Sequence, residues 1–199
     1  MTGLILASAS PRRAALLAGL GLDFRVEPSL FEERHTDRPT DPAALVETLA
    51  LGKARDVARR YSTGLVLGAD TVVIQDGTAF EKPADAREAR SMLSRLAGRW
   101  HVVYTGVALA DAATAAYRVG HEKTRVKFRS LTPDEIEAYV ATGEPLDKAG
   151  GYGIQGLGAV LIERIDGCYT NVVGLPMARL ALMLKEFGIN VLQHAREKG

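Results

Sequence analysis

Ten residues from Asp147 to Gly156 combine glycines with an acid, a base, a tyrosine and a side-chain amide. Glycine is also frequent around them, at Gly143 and Gly158. A flexible linker would be rich in glycine and serine and would carry no such set of reactive side chains. Glycine admits positive φ and lets another molecule approach the backbone closely. The stretch is therefore predicted to be a binding loop.

The loop also contains the pattern Gly151-x-Gly153-x-x-Gly156, which matches the fingerprint of dinucleotide-binding proteins. A true dinucleotide loop follows a strand and opens a helix. Here a predicted helix precedes the loop, no helix is expected to begin at Gly156, and a strand is expected to follow. We therefore reject a dinucleotide site. Gly52-Lys53 is not a P-loop, because the upstream glycine and the hydroxyl residue after the lysine are missing.

The stretch Ser8-Ala9-Ser10-Pro11-Arg12-Arg13 lies between a predicted strand and a predicted helix. Free N–H groups and the dipole at a helix N-terminus favour an anion. Arg12 and Arg13 add forked donors that match phosphate oxygens. The residues alone leave an alternative open, in which Ser10 is an ordinary helix cap followed by a solvated arginine pair.

Isolated acids and lysines accompany this basic segment. Asp70, within Gly68-Ala69-Asp70-Thr71, could bind a divalent metal or act as a general base, or it could be a turn residue bonded to its own backbone. Lys53, Lys82 and Glu33 taken singly fit solvated surface charges. Together they predict phosphate chemistry, in which cations neutralise phosphate oxygens while a carboxylate holds metal or orients water.

Composition excludes several other classes of protein. The chain has 199 residues and a formal net charge of +1, which gives no excess charge for a nucleic-acid partner. Cys168 is the only cysteine, so no internal disulfide forms and a reducing compartment is expected. The four histidines lack metal-ligand spacing. The apolar run Leu4–Ala7 is too short for a signal peptide or a membrane span, so we expect a cytoplasmic protein with no membrane partner.

Helices and strands alternate early in the chain, and hairpins are predicted later. Cap residues before proline mark helix starts at Ser10, Asp41 and Thr132. Thr132 and Glu135 have the spacing of a capping box, and Asp76-Gly77 predicts a hairpin turn. Late in the chain we predict a hairpin of Val160–Ile165 and Tyr169–Val173, then a helix over residues 175–187 and frayed final residues. The other predicted elements are strands at 4–7, 24–26, 65–74, 100–109 and 119–128 and a helix at 85–96. This order predicts one α/β or α+β domain, residues 1–199, with a mixed sheet.

Five motifs occur in an order that resembles the Maf family of nucleoside triphosphate pyrophosphatases, once described as septum-formation inhibitors. The match runs from about Leu4 to Pro176 and covers nearly the whole chain. The motifs are Ser8-x-Ser10-Pro11-Arg12-Arg13, Gly68-Ala69-Asp70-Thr71, Glu81-Lys82-Pro83, Asp147-Lys148-Ala149-Gly150 with Gly153-Ile154-Gln155-Gly156, and Val173-Gly174-Leu175-Pro176.

The resemblance implies hydrolysis of dTTP and UTP. The branch of the family that acts on these nucleotides has arginine, threonine and glutamine at the positions of Arg12, Thr71 and Gln155. A sister branch that acts on 7-methyl-GTP has tryptophan, glutamine and glutamate at those three positions. The resemblance also implies an α/β fold with a strongly curved mixed sheet, a cleft between two lobes, a divalent cation (Mg²⁺ or Mn²⁺) and a cytoplasmic homodimer.

The resemblance assigns roles to individual residues of the chain. Asp70 is the expected proton acceptor, and Arg12, Thr71 and Gln155 are the expected specificity residues. The expected phosphate-binding residues are Ser8, Arg13, Lys53 and Lys82. The metal is expected at Asp70 or Glu33, and the role of Lys148 is left open.

Two wider expectations concern the biological role. Tolerance of both uracil and thymine predicts that pyrimidine nucleotides modified at C5 are also substrates, with a role in nucleotide-pool sanitation and cell-division arrest. The alternative is a regulatory protein that binds a nucleotide without turnover and inhibits septum formation through a protein partner.

Overall fold

The computed structural model of the protein describes residues 3–31 and 39–198, which form seven strands and seven α-helices. The strands are β1 (Leu4–Leu6), β2 (Phe24–Val26), β3 (Leu65–Gln75), β4 (Thr78–Phe80), β5 (Trp100–Asp111), β6 (Tyr117–Phe128) and β7 (Ile162–Asp166). The helices are α1 (Pro11–Ala18), α2 (Pro42–Ala58), α3 (Ala86–Leu96), α4 (Pro133–Ala141), α5 (Tyr169–Val173), α6 (Met177–Glu186) and α7 (Val191–Lys198). Three 3-10 helices follow α4: Glu144–Asp147, Ala149–Gly151 and Gly156–Leu161.

The strands form one sheet in the order β2-β1-β3-β5-β6-β7, with β4 paired to β3. Strand β1 runs parallel to β2 and β3, whereas β4 is antiparallel to β3 and β7 is antiparallel to β6. The predicted α/β fold with a mixed sheet is confirmed. The cleft between two lobes and the single domain over residues 1–199 stay predictions.

The chain divides into two compact units. Unit 1 comprises Met1–Asp70, Thr105–Glu122 and Gly174–Gly199, and unit 2 comprises Thr71–Tyr104 and Lys123–Val173. Each unit has its own apolar core, which is described separately below.

Unit 1 buries both faces of its parallel strands, because successive side chains in a strand point to opposite faces. Leu4 and Leu6 pack in one apolar cluster with residues of α1 and α6. Ile5 and Val66 pack in another with the alanines of α2. The helices on the two faces are thus fixed to strands β1 and β3. Ser8 follows the carboxyl end of β1, and Asp70 lies within β3.

Gly68 sets how closely α2 approaches the sheet. A Cβ atom at this position would lie 2.2 Å from the carbonyl oxygen of Ala50 and 2.8 Å from the amide nitrogen of Ala54. Both are backbone atoms, which cannot move aside as a flexible side chain would. The absence of a side chain therefore lets α2 lie directly on β3, two residues before Asp70.

Unit 2 is built around an aromatic group. His101 is 2% exposed, its Nε2 lies 2.7 Å from the hydroxyl of Tyr152, and its ring makes edge contacts with Phe128 and Tyr152. No hydrogen-bond partner of His101 Nδ1 is found among residues 3–31 and 39–198. Burial of this ring lowers the pKa of His101 to about 4.

The low pKa of His101 predicts a loss of stability in acid. The unfolded chain takes up a proton near the ordinary pKa of 6.5, whereas the folded protein resists it until about pH 4. The contribution is therefore complete above pH 6.5 and is lost as the pH falls towards 4. Between pH 7 and pH 5 the free energy of unfolding is expected to fall by about 2 kcal/mol through this group.

Urea unfolding at pH 7 and pH 5, followed by circular dichroism, measures this loss. His101→Gln removes the titrating ring, so the variant is expected to show a shallower dependence on pH than the wild type. An equal dependence in the two proteins would contradict the assignment.

Several local predictions are confirmed. Helices α1, α2 and α4 begin after Ser10, Asp41 and Thr132, each of which accepts a backbone N–H through its side chain. Thr132 and Glu135 form the reciprocal capping box. The hairpin at Asp76-Gly77 joins β3 to β4.

The hairpin expected late in the chain is wrong, because Tyr169–Val173 is helix α5 and β7 pairs with β6. Asn171 explains the difference. Its buried side chain donates to the Val103 carbonyl and to Thr124 Oγ1, both at 3.0 Å. These tertiary bonds outweigh the strand preference of the β-branched residues around it.

Two further predictions are wrong. Val191–Lys198 is helix α7, where the sequence predicted no regular element, because Val191 packs into the apolar core and Asn190 Oδ1 accepts the Gln193 amide. A 3-10 helix begins at Gly156, where no helix was expected. The dinucleotide interpretation still fails, because α4 and two 3-10 helices precede this loop where that motif requires a strand.

Within the described ranges, no helix is both long enough and apolar enough to span a membrane.

Candidate active site

The loop after β1 presents the predicted anion site in unit 1. Ser10 caps α1 by accepting the Arg13 amide. Ser8 is buried, and its hydroxyl oxygen lies 3.2 Å from both the Ser10 amide nitrogen and Arg13 Nη1. Arg13 is therefore bonded into the loop, so the alternative of a freely solvated arginine pair fails for this residue.

The guanidinium of Arg13 is also anchored from the opposite end of the chain. Its Nε donates to the carbonyl oxygen of Gly174 at 2.8 Å. Gly174 has φ +121°, a conformation that L side chains rarely adopt, so the glycine lets this carbonyl face Arg13. Burial lowers the pKa of Arg13, Asp70 acts in the opposite sense, and Arg12 adds to the lowering. Arg13 thus lies within electrostatic reach of both residues.

Lys53 and Asp70 form an ion pair between α2 and β3. Lys53 Nζ lies 2.5 Å from Asp70 Oδ1, and the two side chains are only 21% and 15% exposed. Asp70 lies inside β3 and not in a turn, so the alternative of a self-bonded turn aspartate is wrong. The ion pair therefore places a carboxylate, which can accept a proton, beside a fixed positive charge.

In unit 1, Lys53 is thus paired with the Asp70 carboxylate, and Arg13 lies within electrostatic reach of both Asp70 and Arg12. Three cations with one acid suit a polyanion that also needs a proton acceptor. No group of three or more His, Cys, Asp or Glu side chains suited to a metal occurs in the described part of the chain. A Mg²⁺ ion commonly takes one or two carboxylates and completes its shell with substrate phosphates and water. Asp70 fits that pattern as a carboxylate ligand among the described residues.

Unit 2 brings together two of the other motifs. The Gly150 amide donates to the Glu81 carbonyl at 3.0 Å, so the Glu81-Lys82-Pro83 segment is bonded to the glycine-rich loop. Lys82 is exposed. Lys148 is held by the Asp147 carboxylate and the Glu144 carbonyl, each at 2.6 Å, which indicates a role in the loop itself.

The expected specificity residues lie in different settings. Gln155 is exposed, and its side chain makes no hydrogen bond to the residues that the structure describes. Arg12 is half-buried on α1. Thr71 follows Asp70 in β3, and strand alternation turns its side chain to the opposite face of the sheet. Glu33 lies outside the described residues.

Two contributions were not predicted from the sequence. The Gly174 carbonyl anchors Arg13, and a pair formed by Tyr139 and Glu144 bonds the backbone around Gln155. The sequence identifies Val173-Gly174-Leu175-Pro176 as a motif, but no sequence pattern connects it with Arg13, which is 161 positions from Gly174. No local pattern marks Tyr139 or Glu144 either, because most of their bonds reach residues that are 13 or 14 positions away.

Comparison with known proteins gives consistent matches along the chain. A family model described as Maf-like protein matches residues 3–187. A dTTP/UTP pyrophosphatase from Moorella thermoacetica is 55% identical over 191 residues, which cover 96% of this chain and 98% of the relative. A dTTP/UTP pyrophosphatase from Gloeobacter violaceus is 54% identical, with 92% of this chain and 95% of the relative covered.

A solved structure of a nucleoside-triphosphatase, dITP/XTP pyrophosphatase, from Mycobacterium abscessus also matches. It is 17% identical, has a TM-score of 0.40 and covers 71% of this chain and 95% of its own. This likeness is too distant to carry an argument.

Proposed function

We propose that this chain, which belongs to the Maf family, hydrolyses dTTP and UTP to the nucleoside monophosphate and pyrophosphate. It is a hydrolase that acts on the anhydride bonds of nucleoside triphosphates, and its relatives are named dTTP/UTP pyrophosphatases. The observation that supports the proposal best is the ion pair of Lys53 and Asp70 beside Arg13, which combines phosphate-binding cations with one ionised carboxylate.

The triphosphate is bound by the cations of unit 1. Arg13 is oriented by Ser8 and Gly174, so its planar guanidinium is fixed before substrate arrives. Lys53 offers a compact charge, and Arg12 contributes further positive charge in this proposal. Lys82, in unit 2, keeps its expected role as a phosphate-binding residue. Such fixed cations stabilise the charge that gathers on the phosphate oxygens in the transition state.

Asp70 orients and deprotonates the attacking water. The water oxygen forms a bond to the α-phosphorus while the bond from that phosphorus to the bridging oxygen breaks. The proton goes to the Asp70 carboxylate, and pyrophosphate leaves with the bond electrons. Positioning and electrostatic stabilisation supply most of the acceleration in this class of reaction.

A divalent cation, Mg²⁺ or Mn²⁺, fits the single-carboxylate setting of Asp70 described above. When bound, it would neutralise phosphate oxygens and so help pyrophosphate to leave. Asp70 is the described residue that would hold it, and Glu33 is the second expected ligand.

Gln155 reads the base in this proposal. Its amide offers both a donor and an acceptor, which match a carbonyl and the N3–H of uracil or thymine. An ionised glutamate would offer acceptors only and would suit the N1–H and amino group of guanine. The hydrogen bonds proposed for Gln155 do not involve C5 of the pyrimidine. The proposal therefore extends to nucleotides that carry a substituent at C5.

A nucleotide panel tests the function. The purified chain with Mg²⁺ or Mn²⁺ is expected to release equimolar monophosphate and pyrophosphate from dTTP and UTP. For GTP we expect kcat/KM to be lower by at least about a hundredfold, since a site built for one hydrogen-bonding edge rejects another. Saturable binding of dTTP without pyrophosphate release would contradict the proposal and favour the regulatory nucleotide-binding protein.

A further inference from the structure

The backbone on both sides of Gln155 is held by two side chains from outside the loop. The Tyr139 hydroxyl accepts the Gly153 amide at 3.3 Å and donates to Glu144 Oε1 at 2.9 Å. The Glu144 carboxylate also accepts the Leu157 amide at 3.1 Å and the Gly158 amide at 3.0 Å. We call Tyr139 and Glu144 with these three amides the loop clamp.

The loop clamp replaces the cap that Gln155 does not supply. Gln155 is the N-cap residue of the 3-10 helix Gly156–Leu161, yet its side chain makes no capping bond. The first amides of a helix need acceptors, and Glu144 provides them for Leu157 and Gly158. The Gln155 amide is thus not used in ordering its own loop and stays exposed.

The glycine spacing of the loop follows from the loop clamp. A Cβ atom at Gly158 would lie 2.6 Å from the Tyr139 hydroxyl and 2.3 Å from the Gly153 carbonyl. At Gly156 it would lie 3.0 Å from Glu144 Oε2. The sequence predicted that these glycines admit a ligand, but at both positions the close approach comes from the protein itself.

The charges of the two side chains agree with this geometry. Burial opposes ionisation of Glu144, but bonds from Gly158, Tyr139 and Leu157 outweigh it and lower the pKa of this carboxyl. Burial, with the adjoining carboxylate, raises the pKa of Tyr139. Tyr139 is 6% exposed and therefore stays a neutral donor to an ionised acceptor at neutral pH.

We propose that Tyr139 and Glu144 are positioning residues for nucleotide selectivity, because together they fix the backbone from which Gln155 extends. The inference rests on the proposed function, in which Gln155 reads the base. It assigns no contact with substrate to Tyr139 or Glu144. Their loss should weaken discrimination between nucleotides and leave the chemical step largely intact.

The test compares Tyr139→Phe, Glu144→Gln and the double variant with the wild type. With dTTP, KM is expected to rise about tenfold in each single variant, because the loss of bonds that order the loop lets Gln155 move away from the base. The preference for dTTP over GTP should fall by a similar factor. The value of kcat should stay within about twofold, because the groups proposed to act at the α-phosphorus are unchanged. The double variant should lose less than the product of the single losses, because each single variant already alters the bond that Tyr139 and Glu144 share.

Matched controls separate this effect from a general loss of acid or tyrosine. Glu137 lies on α4, as Tyr139 does, and pairs with Arg90 on the surface. Tyr169 is an exposed tyrosine. Glu137→Gln and Tyr169→Phe are expected to leave KM and selectivity unchanged.

Hydrogen exchange followed by mass spectrometry gives a readout that does not depend on activity. Amides of residues 153–158 are expected to exchange faster in Tyr139→Phe and Glu144→Gln and to be unchanged in the controls. Unchanged exchange would overturn the loop clamp, and faster exchange with unaltered KM and selectivity would overturn its positioning role. If the wild type hydrolyses no nucleotide, the proposed function and the positioning role fail together, and the exchange result still decides whether the clamp orders the loop.

Discussion

Asp70→Asn is expected to lower kcat for dTTP by about a thousandfold, the middle of the range that a general base contributes. Asparagine has the shape of aspartate but accepts no proton at neutral pH. It also gives Lys53 a neutral partner in place of the ionised one at 2.5 Å. The loss should therefore appear in kcat, measured as pyrophosphate release, while binding of dTTP persists.

Asp111→Asn is a suitable control for Asp70→Asn. The Asp111 carboxylate accepts the Ala113 and Thr114 amides in the turn after β5, so it is also bonded but has no place in the proposed chemistry. Its kcat should stay close to that of the wild type. Thermal unfolding must show that Asp70→Asn is folded, and a folded Asp70→Asn with undiminished kcat would end the general-base assignment.

Arg13→Lys is expected to lower kcat/KM for dTTP about a hundredfold, because charge-assisted hydrogen bonds of this kind contribute about 1.5–3 kcal/mol each. Lysine keeps the positive charge but loses the planar fork that spans Ser8 and Gly174. The position of the charge, and not its presence, is what the substitution alters. Steady-state kinetics with dTTP measures the change.

Two companion variants sharpen this result. Gly174→Ala leaves Arg13 intact but strains the φ of +121° that presents the carbonyl, so it should reduce kcat/KM in the same direction and by less. Arg118→Lys changes an exposed arginine paired with Glu186 and should have no effect. Wild-type kinetics in Arg13→Lys would remove this residue from the phosphate site.

Local chemistry made much of the fold predictable. Ser10, Asp41 and Thr132 each cap a helix within three residues of their own position, so sequence neighbours determine the outcome. The continuous apolar run of Leu4, Ile5 and Leu6 likewise reflects burial on both faces of one strand. Tyr169–Val173 was predicted wrongly because distant partners of Asn171 decide its conformation.

The site was predictable only in parts, for a related reason. Residue types identified Arg13, Lys53 and Asp70 as candidates, but each alone also fitted a solvated or turn residue. Their significance comes from bonds across the chain, such as that between Arg13 and Gly174, 161 positions apart. For Gly156 and Gly158 the sequence shows the glycine spacing but not its cause. The cause is the close approach of Tyr139 and Glu144, which only the structure reveals.

Hydrolysis of dTTP in water enriched in heavy oxygen tests the central claim most directly. Water activated by Asp70 attacks the α-phosphorus, so mass spectrometry should find the label in dTMP and none in the released pyrophosphate. Label in pyrophosphate, or release of orthophosphate as the first product, would contradict the claim.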